Sequence, residues 1–227
     1  MGRSFKLVGA VALGVLVSYS AQARYVIAGY EGRGLDPEKR THVIVAARGT
    51  DMGLQFHMSA AAQARKIQDV NPQDQILLIS VMEPTMSDEE AARLTLSDSE
   101  AKDSSKKVAT GDDYNRLLVY STLKRHNAKS IEDLLARWNF NVLENHDEDL
   151  ETKTLLSQLE RFSKVASLNV YSHSTTFYGL IMDGPFNRID AHADLSSLRD
   201  NFTGDSYAWF HGCNTGQKII RDMTQQW

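Results

Sequence analysis

The chain has 227 residues, of which 42% are hydrophobic and 24% charged, and its formal net charge is −4. That length and balance fit one globular domain, or one domain with a long insertion, and exclude a disordered or collagen-like chain. With no basic excess, the sequence argues against nucleic-acid binding and against a cationic membrane-surface role, both of which need clustered Lys and Arg.

The first 23 residues read as a signal peptide. Arg3 and Lys6 flank the start, Leu7 to Val17 is apolar, and Ala21-Gln22-Ala23 supplies the small-x-small step that a signal peptidase requires. The apolar run is shorter than the roughly 20 residues a membrane-spanning helix needs. The expectation is an exported chain, periplasmic or secreted, with no stable membrane span once residues 1–23 are removed; an uncleaved anchor is the alternative. Residues 24–227 then form a single domain. Its one cysteine, Cys213, can form no intramolecular disulfide. In an oxidising compartment a lone thiol is either buried and inert or put to use.

Residues 24–34 form a Gly-punctuated entry segment. Thr41 to Ala47 (THVIVAA) is a short β-branched run suited to a buried strand. It ends in the polar turn Arg48-Gly49-Thr50-Asp51-Met52-Gly53. Gln55 to Val70 carries Phe56, Ala60, Ala64 and Ile67 near helical spacing, and Asn71-Pro72 stops that helix. Gln75 to Val81 (QILLISV) is a second buried strand. The strand–helix–strand order predicts a parallel pair with a right-handed crossover. Residues 83–112, rich in Ser, Asp, Glu and Lys, read as a flexible insertion with a short helix at Ser87 to Leu94. Helices are expected at Asp113 to His126, at Ile131 to Trp138 behind an N-capping Ser130, and at Glu151 to Ala166, with a short strand at Phe140 to Glu144. Ser167 to His173 is a strand ending in a polar turn. Tyr178 to Met182 is its hairpin partner or an edge strand, Asp194 to Phe202 a short helix, Ser206 to Phe210 a buried strand, and Gln217 to Met223 a helix. Alternation of this kind predicts an α/β fold with a mainly parallel sheet and helices on both faces.

In such sheets ligands bind outside the carboxyl ends of the strands. His173 and Cys213 each follow a strand, and a parallel arrangement puts both at one rim. Gly212 and Gly216 allow tight backbone geometry around the sulfur. A helix starting after Cys213 would aim N–H groups at it, which favours the thiolate. His173 is then the general base, and backbone at Ser174 and around Gly212 and Cys213 offers an oxyanion site. Arg48 and Asp51 end the first strand at the same rim: either they bind substrate, Arg48 through a carboxylate, or they form an ordinary loop ion pair. His192 and His211, with Asp190 and Asp194, have no zinc-site spacing, so no metal is expected. No Gly-x-Ser-x-Gly elbow, dinucleotide fingerprint or phosphate loop is present, so no serine hydrolase and no nucleotide cofactor is expected.

The segments Val170-Tyr171-Ser172-His173-Ser174 and Phe210-His211-Gly212-Cys213-Asn214-Thr215-Gly216 resemble the caspase-like cysteine peptidase superfamily, the group of caspases, clostripain, gingipain and separase-type domains, over about residues 130–223. The resemblance implies a three-layer sandwich, a Cys213/His173 dyad and hydrolysis of a peptide or protein substrate. Ser174 stands where that superfamily usually has Gly, which would narrow the oxyanion site. Caspase-like domains normally continue past the Cys-bearing helix, whereas this sequence stops at Trp227, so a domain cut short at its C-terminus is one expectation. The reading from another class is a non-catalytic α/β binding or interaction domain that keeps such a fold.

Overall fold

The computed structural model describes residues 24–49, 51–102, 106–175, 179–181, 188–189 and 196–212. The expected signal peptide, Cys213, and the helix expected at 217–223 lie outside the described residues.

The first strand, β1 (Tyr25–Tyr30, YVIAGY), is buried at every position. It occupies part of the segment expected to be an irregular entry. Gly29 is one of the glycines that punctuate the segment, yet a Cβ at that position would lie 2.0 Å from the Arg33 carbonyl oxygen, so the glycine serves a close backbone approach within a strand. Strand β2 (Thr41–Ala46), helix α1 (Gln55–Val70) and strand β3 (Gln75–Val81) follow as the apolar runs predict. β2 and β3 pair in parallel, from Thr41 opposite Gln75 to Ala46 opposite Ser80.

The segment 83–112 holds more structure than its composition suggests. Helix α2 (Asp88–Ala92) starts with a complete capping box between Ser87 and Glu90. Strands β4 (Leu94–Thr95) and β5 (Lys107–Val108) pair in parallel around the short helix α3 (Asp98–Lys102). Met86, Ala91 and Ala109 bury against Leu117 of helix α4 (Asp112–Arg125), forming a small satellite core. Helix α5 (Ile131–Arg137) is capped by Ser130, whose side chain accepts from the Asp133 N–H, and it leads into strand β6 (Phe140–His146).

Helix α6 (Thr152–Leu159) stops seven residues before the expected end at Ala166, and strand β7 begins at Val165 (Val165–Tyr171). Leu155, Leu159, Phe162 and Val165 all belong to one core cluster. The apolar period therefore continues because helix, loop and strand in turn pack onto the same face. Strands β8 (His173–Thr175), β9 (Gly179–Ile181) and β10 (Arg188–Ile189) form a small antiparallel sheet in which β9 pairs with β8, so the segment expected as the hairpin partner of Ser167 to His173 pairs with a separate short strand rather than with β7. A 3₁₀ turn at Ser196–Asn201 stands where a short helix is expected, and strand β11 (Phe202–His211) starts earlier than the sequence suggests.

The main sheet has the order β11-β7-β2-β3-β1-β6. The pairs β11/β7, β7/β2 and β2/β3 are parallel, while β1 is antiparallel to both β3 and β6. The sheet is thus mixed rather than mainly parallel; the departure comes from β1, the strand that the sequence reading did not recognise. Side-chain alternation sorts the core into two layers. Val43, Val45, Leu77 and Ile79 join Leu155 and Leu159 of α6, whereas Ile44, Ala46, Ile76 and Leu78 join Ala60 and Ala64 of α1, Val119 of α4 and Leu134 and Leu135 of α5. Helices therefore cover both faces of an α/β sheet. Among the described residues no helix is long and apolar enough to cross a membrane.

Candidate functional site

The parallel strands stand in the order β3-β2-β7-β11. The chain leaves β2 toward one side to make β3 and returns on the other side to make β7 and β11. The direction of winding reverses between β2 and β7, and the crevice outside their carboxyl ends is where sheets of this type hold ligands. Arg48, Gly49 and Asp51 leave β2 at that point, and His173 follows β7.

His173 is at the start of β8, with its side chain 23% exposed. Its Nε2 donates to the Gly49 carbonyl oxygen at 2.7 Å and stands 3.1 Å from Asp51 Oδ1. A carbonyl can only accept, so Nε2 carries the proton, and in the neutral ring Nδ1 is the basic nitrogen. Phe56, in the first turn of α1, meets the imidazole edge-on at 5.1 Å and limits its rotation. β11 lies directly beside β7, with His211 opposite Tyr171, and the Ser172 N–H donates to the His211 carbonyl at 3.1 Å. His173 and residue 213 each come two positions after a member of that pair.

Behind the His173–Gly49 contact is a buried polar cluster. Glu83, just past the end of β3, is 0% exposed. One of its carboxylate oxygens accepts from the Gly49 N–H; the other accepts from Asn115 Nδ2 at 3.0 Å and stands 3.7 Å from Arg48 Nε. Asn115 Oδ1 in turn accepts from the Gly53 N–H at 3.0 Å. Gly49 and Gly53 are both required by the turn. A Cβ on Gly49 would lie 2.4 Å from the Gly53 carbonyl oxygen, and Gly53 has φ +56°.

The predicted site residues therefore divide. His173, Arg48 and Asp51 come together at the carboxyl rim, but Arg48 and Asp51 are not paired with each other: Arg48 faces Glu83 and Asp51 faces His173. Gly212 follows β11, and Ser174 is paired with Leu180 in the small sheet. Cys213, His192, Asp190 and Asp194 are outside the described residues. His211 stacks on Tyr171 at 4.2 Å and on Trp209 at 4.9 Å, and burial lowers its pKa. Among the described residues no group of three His, Cys, Asp or Glu could hold a metal ion. Glu83 escapes sequence reasoning because it opens what reads as a polar insertion, and Asn115 because it is one polar residue of the helix expected at Asp113 to His126. The available signal is an acidic residue one position past Met82, just after a strand whose run Ile76 to Ile79 is continuously apolar.

A second polar network lies at the opposite, amino rim. His42 Nε2 donates to Asp74 Oδ2 at 3.0 Å, and its Nδ1 is 2.8 Å from Ser167 Oγ. Burial lowers the His42 pKa in spite of Asp74, so the ring is neutral and Ser167 donates to Nδ1. Although these residue types are those of a serine hydrolase, Ser167 is 0% exposed and the network is structural. Compared with protein-family models, with curated proteins and with solved structures, the chain finds no match.

Proposed function

We propose that the chain is an exported, caspase-like cysteine hydrolase acting on a peptide or protein substrate, with Cys213 as nucleophile and His173 as base. The observation that carries this reading is the hydrogen bond from His173 Nε2 to the Gly49 carbonyl oxygen. It orients the imidazole at the crevice and keeps the Nδ1 lone pair available for a thiol proton, as a base oriented by a third group requires. The pairing of β7 with β11 in parallel supports the same assignment, because it brings His211 and Gly212 to the rim where His173 stands.

In this reading the Cys213 thiol gives its proton to His173 Nδ1, and the thiolate attacks the substrate carbonyl carbon. The backbone N–H groups of Cys213 and Ser174, beside Gly212, take the developing oxyanion. The imidazolium returns its proton to the leaving amine, and water then hydrolyses the acyl-enzyme with His173 again as base. Arg48 and Asp51 line the substrate side, Arg48 as a partner for a substrate carboxylate.

The test is labelling of Cys213 with a thiol-reactive probe across pH, followed by hydrolysis of a peptide panel. Wild type should label with an apparent pKa well below the free-thiol value of about 8.5. His173→Ala should return the profile toward that value and slow labelling near neutral pH by roughly tenfold or more, since only the thiolate reacts. A wild-type profile centred near the free-thiol value, unchanged by His173→Ala, refutes the hydrolase and leaves the non-catalytic domain.

A further inference from the structure

The cluster behind His173 is directional. The Gly53 N–H can only donate, so the Asn115 side chain must present Oδ1 to it. That choice turns Asn115 Nδ2 toward Glu83, where it needs an acceptor. The Gly49 N–H needs another, on the other oxygen of the same carboxyl group. Both Glu83 oxygens therefore accept, a pattern that suits an ionised carboxylate beside Arg48 Nε. The cluster holds both ends of the Gly49–Gly53 turn, one from the end of β3 and the other from α4. Between those ends, the Gly49 carbonyl accepts from the Met52 N–H at 2.9 Å and from His173 Nε2.

We propose that Glu83 and Asn115 are positioning residues: a buried one-way hydrogen-bond relay that locks the Gly49–Gly53 turn and, through the Gly49 carbonyl, holds the His173 imidazole in the Nε2–H form with Nδ1 free to act as base. This assignment rests on the reading of His173 as the working base. It extends that reading to two residues that touch neither the nucleophile nor the substrate. The same carboxylate stands beside Arg48 Nε, so one buried charge anchors both the turn that orients the base and the side chain assigned to the substrate.

The relay predicts a specific pattern of failure and rescue. Glu83→Gln puts an amide N–H against the Asn115 amide N–H, and rotating Asn115 only moves that conflict to the Gly53 N–H. Asn115→Asp sets two carboxylates face to face. The double variant E83Q/N115D satisfies the turn again: the amide now at position 83 accepts from the Gly49 N–H and donates to the carboxylate now at position 115, which accepts from the Gly53 N–H, while Arg48 alone loses the carboxylate oxygen beside its Nε. The experiment follows the His173 ring nitrogens by ¹H–¹⁵N correlation spectra of the full chain, alongside the pH profile of Cys213 labelling. The single variants should shift His173 to a mixture of tautomers and slow labelling near neutral pH about tenfold, with the double variant returning both readouts to wild type. A folded single variant that keeps wild-type His173 signals overturns the relay. Where a single variant does not fold, the double variant decides, since an unfolded one, or a folded one whose His173 has left the Nε2–H form, overturns it equally. Labelling that ignores His173→Ala while the tautomer pattern holds would instead count against the hydrolase reading alone.

Discussion

His57 makes the stability of this fold depend on pH in a calculable way. It is in the first turn of α1, 0% exposed, and its Nε2 donates to the Val81 carbonyl at 3.0 Å. The other ring nitrogen, Nδ1, is buried without a partner among the described residues. Protonation would place a cation there with a single acceptor, and burial accordingly lowers the His57 pKa from 6.5 to about 4. In the unfolded chain the ring titrates near its ordinary value. Between these two values the unfolded state binds one more proton than the native state, so stability is complete above the unfolded pKa and is lost as pH falls toward the folded one. Integrated from about pH 7.5 to about pH 5 the loss is about 2 kcal/mol, rising to about 3 kcal/mol near pH 4.

The assay is urea unfolding followed by tryptophan fluorescence, on wild type and His57→Gln, at a series of pH values. The glutamine side chain keeps an N–H for the Val81 carbonyl but does not titrate. His42 and His211, whose burial also lowers their pKa values, contribute equally to both proteins and cancel in the difference. The stability difference between wild type and variant should shift by about 2 kcal/mol in favour of the variant from about pH 7.5 to about pH 5. A difference that stays flat across that range refutes the claim that His57 is held neutral by burial. The consequence reaches the site, because Phe56, the neighbour of His57, packs against His173.

Two further substitutions probe the two rims. Gly49→Ala places a methyl group 2.4 Å from the Gly53 carbonyl oxygen and 3.3 Å from the Glu83 carboxylate, so the turn must open. Expected are a stability loss of about 1–3 kcal/mol in urea melts and slower Cys213 labelling, because the carbonyl that orients His173 moves. Ser167→Ala takes the hydroxyl from His42 Nδ1 and the acceptor from Asn169 Nδ2. It should cost about 1–3 kcal/mol, the penalty for stranding buried polar groups, while leaving Cys213 labelling at pH 7 unchanged.

The sequence revealed most where a single physical cause dominated. The runs at 41–47 and 75–81 are apolar on both faces because helices cover both faces of the sheet, and the Ala-lined face of Gln55–Val70 lets α1 sit close to the strands. β1 is obscured by Gly29, whose role is a close contact with Arg33 that local pattern cannot express. The overlong helix at 151–166 has the same origin: an apolar period reports which face is buried, not whether the backbone carrying it is still helical.

At the site, His173, Arg48 and Asp51 were legible because residues that end buried strands must collect at the carboxyl rim of a wound sheet, whatever their separation in sequence. Glu83 meets the same condition, following β3 as Arg48 follows β2, but the polar residues after it suggest solvent. What distinguishes the two settings is the partner. An exposed glutamate needs none, whereas a glutamate at 0% exposure requires donors, and these come from Gly49 on one element and Asn115, 32 positions away, on another. A carboxylate buried beside Gly49, the partner of His173, is retained at a desolvation cost that two apolar residues would avoid. That cost is accounted for if the carboxylate fixes the geometry of the turn, and this is the property that the exchange of Glu83 and Asn115 between acid and amide is designed to isolate.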